Sequence, residues 1–128
     1  MRDVDLMKFK NWVVVGDVTN PTKYAYRILS KFYSAGFNVS GVNPRATKEG
    51  TYKSLEQVAY KIDAIDLCIN PRDGIDIVRQ AKELEIKYIL IQPGAESEEI
   101  FNFCRNNNII AVEGCALVAL NNLVLTYF

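Results

Sequence analysis

Histidine is absent from the 128-residue chain. This removes the commonest general base and a common metal ligand. Cysteine is scarce: Cys68, Cys104 and Cys115 are odd in number and far apart. They suit neither a disulfide framework nor a zinc cluster. No apolar run approaches the roughly 18 residues of a membrane span. Neither sign of charge is in excess, since Lys plus Arg and Asp plus Glu stand at 15 each. No global basic field therefore calls for nucleic acid. The opening M-R-D-V-D-L-M-K-F-K is too polar for a signal peptide, so a cytoplasmic protein is expected. The sequence has no Walker motif and no H-E-x-x-H, and without histidine it has no Ser-His-Asp set.

What is present points to a single domain spanning residues 1–128, because apolar residues make up 49% of the chain and suffice for one core. The stretch N-W-V-V-V-G-D-V-T-N-P at 11–21 organises the rest. Trp12 to Val15 reads as a strand buried on both faces, and Gly16 permits a tight turn. Asn20 and Pro21 suit the N-cap and first position of a helix, with Ala25, Ile28, Leu29 and Phe32 on its inner stripe. Strand, glycine turn and helix N-terminus present backbone donors to an anion. An ordinary βα corner would look the same.

Further strands are expected at 38–42, 64–69, 88–91 and 109–112, and helices to about 35, to about 84, after Glu98–Glu99, and over 116–122. Gly36 would stop the first helix. Ser54 and Gln57 have capping-box spacing, which predicts a short helix over 55–60. Residues 1–10 form an extension or a single helical turn, and 123–128 carry no assignable pattern. Five strands alternating with helices, without clean period-two patterning, predict a parallel sheet covered on both faces. The expected fold is Rossmann-like and doubly wound: five parallel strands in the order 3-2-1-4-5, in three α/β/α layers. Such sheets bind ligands beyond the carboxyl ends of their strands. Here those ends carry Gly16, Asn43, Asn70, Gln92 and Glu113.

The two marks of a dinucleotide site are incomplete. G-D-V-T-N-P stands at 16–21 in place of G-x-G-x-x-G, and Asn43 stands where an acid would bond the ribose diol. Strand two leads instead into V-N-P-R, with Lys48 three residues beyond Arg45. A guanidinium there suits a phosphate on the ribose, at 3′ in coenzyme A or 2′ in NADP. Two solvated loop charges are the plain alternative.

These pieces together resemble the small coenzyme A-binding domain proteins, whose Rossmann-like fold also forms the N-terminal part of the succinyl-CoA synthetase alpha subunit. The matching segments are V-V-V-G-D at 13–17, N-P at 20–21, G-V-N-P-R at 41–45, the strand and N-P at 65–71, P-G at 93–94 and E-G-C at 113–115. The resemblance covers roughly 12–122, and its most specific feature is G-x-x-x-N-P paired with V-N-P-R. It implies a CoA diphosphate near Gly16, Asp17, Val18, Thr19, Asn20, Pro21 and Tyr24. It implies the adenosine ribose and its phosphate near Asn43, Pro44, Arg45 and Lys48, and the adenine or pantetheine path beside Asn70, Pro71 and Arg72. The P-G turn brings in Gly94. The synthetase's catalytic histidine comes from a second domain, so the resemblance implies binding and not the ligase reaction.

Asp17 is expected to point away from a diphosphate. Arg72, at the second position of a helix, opposes the dipole and so invites a ligand or carboxylate partner. Cys68 and Cys104 read as core residues. Cys115 stands at a helix start, where a thiolate is favoured and could meet the thiol of CoA. Support for catalysis is thin: Asp66 lies inside a strand, and Glu113 is the one acid at a strand terminus that could reach the cleft. The reading is a protein that binds CoA or an acyl-CoA, with no nucleic-acid or membrane partner. An NAD(P)-dependent oxidoreductase or redox sensor is one alternative. An interaction module with a vestigial cleft is another, its apolar tail Val124–Leu125 and Tyr127–Phe128 covering a partner or closing a homodimer.

Overall fold

Burial decides which strands lie inside the sheet. In a computed structural model, β1 (Asn11–Gly16) is buried from Trp12 onwards, and β3 (Ala64–Cys68) is buried from Ala64 to Leu67. Both lie centrally. β2 (Asn38–Val42) reads N-V-S-G-V and is exposed or half-buried until Val42, so it takes an edge. β4 (Tyr88–Ile91) is interior, and β5 (Ile110–Glu113), partly exposed, forms the other edge. The structure describes the backbone of residues 1–127 and the side chains of residues 1–123.

All four strand pairings are parallel, as expected, but the order is β2-β1-β3-β4-β5. The expected order 3-2-1-4-5 is therefore corrected. That order would put the polar N-V-S-G-V inside the sheet and the apolar A-I-D-L-C beside water. The observed order reverses both, pairing Trp12 with Ala64 and Gly16 with Cys68. The winding changes direction between β1 and β3, which places the switch point at their carboxyl ends.

Helices α2 (Pro71–Glu83) and α3 (Glu98–Asn106) cover one face, where Ile77, Val78 and Ile100 pack on Val13, Ile65 and Ile89. Helices α1 (Tyr24–Ser34) and α4 (Ala116–Tyr127) cover the other, packing Ala25, Ile28, Ala119 and Leu120 on Trp12, Val14 and Leu90. The Trp12 and Phe32 rings lie 4.7 Å apart on this second face, and Phe37 meets Phe32 edge-on at 5.3 Å. Residues Asp3–Lys8 form a 3-10 segment that adds Leu6 and Met7 to the same core. Gly36 follows the cap of α1 at φ 88°, a left-handed turn that ends the helix as expected. The short helix expected at 55–60 is a 3-10 turn at Leu55–Gln57, and its Ser54–Gln57 capping box is present.

Candidate functional site

Three Asn-Pro dipeptides close the carboxyl ends of β1, β2 and β3, and they do not fold alike. Asn70 caps α2: its Oδ1 accepts the Asp73 N–H at 3.0 Å, and Pro71 opens the helix. Asn20 and Asn43 instead start turns. Asn20 Oδ1 accepts the Thr22 N–H at 3.1 Å and its carbonyl accepts the Lys23 N–H at 3.0 Å. Asn43 repeats the pattern, with the Arg45 N–H at 3.1 Å and the Ala46 N–H at 3.0 Å. Asparagine followed by proline is well suited to such turns. The expected helix start at Asn20–Pro21 is thereby moved to Tyr24. Lys23 becomes the N-cap of α1, and no side chain caps that terminus.

The uncapped end of α1 adjoins a cleft at the switch point, of about 380 Å³, lined by Asp17, Lys23, Asn43, Arg45, Asn70 and Asp73 with Cys68 and Ile69. A wider hollow of about 720 Å³ lies between the 3-10 segment and Leu123. It lacks the convergent strand ends that mark a ligand site in this architecture.

Gly16 is required by packing. A Cβ there would stand 2.1 Å from the Cys68 carbonyl oxygen, so β1 and β3 could not approach as they do. Val18 turns inward against Gly41, and its N–H is taken by the Gly16 carbonyl at 2.8 Å. That donor is not available to an anion. Asp17 does not turn away as expected. It lines the cleft, and its Oδ1 accepts the Asn43 amide at 3.4 Å and the Thr19 hydroxyl at 3.5 Å. Pro21 and Tyr24 are exposed at the entrance to α1, with the Arg27 guanidinium 5.1 Å from the Tyr24 ring centre.

Arg45 reaches across the cleft as a fork. Its Nε lies 2.7 Å from Asp73 Oδ2, and its Nη2 donates to Asp73 Oδ1 at 3.2 Å. The Arg45 guanidinium, and after it the Asn70 amide, hold the Asp73 carboxyl below the usual carboxylate range. Lys23 makes no ion pair among the described residues. The donor set thus fits a polyanion at Lys23, Arg45 and the end of α1, while the carboxylates of Asp17 and Asp73 oppose it.

Not every expected residue joins this lining. Pro44 is half-buried in its turn; Lys48 and Arg72 are exposed outside the lining, and Pro71 serves the start of α2. Gly94 lies beyond β4, its N–H donating to Glu96 Oε2 at 2.7 Å. Glu113, expected to be the acid nearest the cleft, is exposed and absent from the lining. Asp73 and Lys23 take part without having been expected. Asp73 carries a sequence signal, since it stands three residues after the Asn70 cap in the first turn of α2.

Cys115 is half-buried before α4, and the donors that would favour its thiolate are engaged. Its N–H donates to Asp3 Oδ2 at 3.3 Å, and the Ala116 N–H donates to the buried Gln92 Oε1 at 2.7 Å. Burial, with Asp66 and Cys115 nearby, pushes the Cys68 thiol up to about 12, and burial pushes Cys104 up to about 11. Asp66 is fully buried and neither of its oxygens has a partner, so desolvation raises its carboxyl well above the usual range. Among the described residues no group of three or more His, Cys, Asp or Glu side chains could hold a metal ion, and no helix is long and apolar enough to cross a membrane. The tail residues Val124–Leu125 and Tyr127–Phe128, expected to close a homodimer, lie outside the described side chains.

Fold and cleft define a doubly wound α/β protein with a polar cleft at its switch point. The chain belongs to the CoA binding domain family, which it matches over residues 10–121. It is similar to a conserved hypothetical protein from Pyrococcus furiosus, at 35% identity and TM-score 0.77, over 86% of this chain and 98% of that one. A hypothetical protein from Pyrococcus horikoshii OT3 shares the fold at 23% identity and TM-score 0.84, over 95% of this chain and 90% of that one. A Thermus thermophilus protein shares it at 21% identity and TM-score 0.79, over 93% and 92%. No curated protein matches the chain.

Proposed function

We propose that the chain binds coenzyme A, free or acylated, in the switch-point cleft, and that it holds the ligand without converting it. The diphosphate lies over the Gly16–Thr19 loop and the uncapped start of α1, beside Lys23 and Tyr24. Asn43, Pro44 and Arg45 surround the adenosine ribose, with the 3′-phosphate at Arg45 and Lys48 beyond it. Asn70, Pro71 and Arg72 flank the adenine or pantetheine path, and the thiol end runs towards Gly94 and Cys115. Such a protein would sense, store or present the coenzyme.

The observation that carries this reading is the meeting of an uncapped helix N-terminus, Lys23 and Arg45 in one cleft of a CoA binding domain. Backbone donors and a guanidinium are what a diphosphate and a phosphate monoester require. Native mass spectrometry of the purified protein, followed by calorimetry with CoA, 3′-dephospho-CoA and NADPH, tests it. The expected result is a CoA-sized adduct and tighter binding of CoA than of dephospho-CoA. Binding of NADPH alone would replace the reading with a nicotinamide coenzyme, and binding of none would leave an interaction module.

A further inference from the structure

The cation best placed for a ribose phosphate is already occupied. Arg45 spans the cleft to Asp73 with its Nε and Nη2 edge, so a phosphate can take that edge only by displacing the carboxylate. The two partners are unequally held. Asp73 is fastened at the start of α2, its N–H on Asn70 Oδ1 and its Oδ2 accepting the Asn70 amide, both at 3.0 Å. The Arg45 side chain is 68% exposed and free to turn. We propose that Asp73 is an internal competitor for the ligand phosphate: an anion that occupies Arg45 in the empty cleft, is displaced by a terminal phosphate monoester, and so sets how tightly that phosphate is held. This rests on the CoA-binding reading and adds to it a residue that tempers the affinity for the phosphate.

The relative strengths support such an exchange. An ion pair this exposed contributes little. A phosphate monoester carries about 1.5 to 2 negative charges at neutral pH and three acceptor oxygens, against one charge on Asp73. It therefore displaces the carboxylate, whereas a ribose hydroxyl does not. Asp73 lowers the affinity for every ligand that uses Arg45 and leaves the others unaffected. The cleft is in this sense balanced, with Lys23 and Arg45 facing Asp17 and Asp73.

Calorimetry of CoA and 3′-dephospho-CoA against wild type, Asp73→Asn, Arg45→Ala and the double variant tests the exchange. Asparagine keeps an oxygen for the Asn70 amide, and Asp73→Ser serves should Asp73→Asn fail to fold. Asp73→Asn is expected to tighten CoA binding about two- to fivefold and to leave dephospho-CoA unchanged. In the Arg45→Ala background the same substitution is expected to change nothing. Weaker CoA binding in Asp73→Asn, no change, equal tightening of both ligands, or a gain that persists without Arg45 overturns the competitor role while CoA binding stands. If wild type binds neither ligand, the CoA reading fails first and the competitor role falls with it.

Discussion

Asp66 and Cys68 stand two residues apart on the same face of β3, and burial raises both the carboxyl and the thiol. Asp66 lies between Val14 of β1 and Leu90 of β4, sealed from water and without a hydrogen-bond partner. That position favours the protonated carboxyl, because its charged form has nothing to replace lost hydration.

This sets the first prediction. A carboxyl raised on folding contributes fully below the unfolded value of about 4, and its contribution is lost as pH rises through the folded value. Asp66→Val should stabilise the protein at neutral pH by about 1–3 kcal/mol, the usual cost of an unsatisfied buried polar group. It should also flatten the decline of stability as pH rises above about 4. Urea denaturation across that range reads both effects, and parallel wild-type and variant curves would refute the second.

Gly16→Val should act on the fold before it acts on any ligand. Its Cβ would collide with the Cys68 carbonyl, which belongs to rigid backbone. A loss of about 1–3 kcal/mol in stability is expected, read as a lowered denaturation midpoint without ligand. An unchanged midpoint would mean that β1 and β3 can separate at little cost.

Arg45→Ala should weaken CoA binding about ten- to hundredfold, from a charge-assisted bond of roughly 1.5–3 kcal/mol, while dephospho-CoA binding barely changes. Equal weakening of both ligands, measured by calorimetry, would remove Arg45 from the phosphate.

The thiols differ in a way that mass spectrometry can read. Cys68 and Cys104 are pushed up to about 12 and about 11, so their thiolates are scarce at neutral pH. Treatment with CoA disulfide should therefore modify Cys115: its thiolate attacks one sulfur, forms the mixed disulfide and releases one CoA thiolate. Cys115→Ser should abolish the adduct. Peptide mapping that finds the adduct on Cys68 would reverse the assignment.

Strand positions, the parallel sheet and the helix stripes follow from apolar patterning, because burial on two faces needs runs such as W-V-V-V and A-I-D-L-C. Strand order was legible in the same source, because the polar N-V-S-G-V of β2 suits an edge and not the interior that the order 3-2-1-4-5 requires. The Asn-Pro corners mark where local rules end. All three offer the same side chain and the same ring, but only at Asn70 does a helix follow at once. At Asn20 and Asn43 the next residues close turns, and nothing within the dipeptide distinguishes the outcomes. The Arg45–Asp73 fork was out of reach, since it joins a loop to a helix start 28 residues away, and their meeting depends on β2 and β3 flanking β1.

The seam between β1 and β3 also has a kinetic meaning. Asn11 and Asp63, which bond at its start, are 52 residues apart in the chain. Closing so long a segment is entropically slow, and a central parallel pair cannot form until it is closed. The cleft takes its lining from both sides of that seam, so it exists only once this long-range pairing is complete. A ligand held there would bridge both sides of that pairing and, by binding only the folded chain, raise its stability.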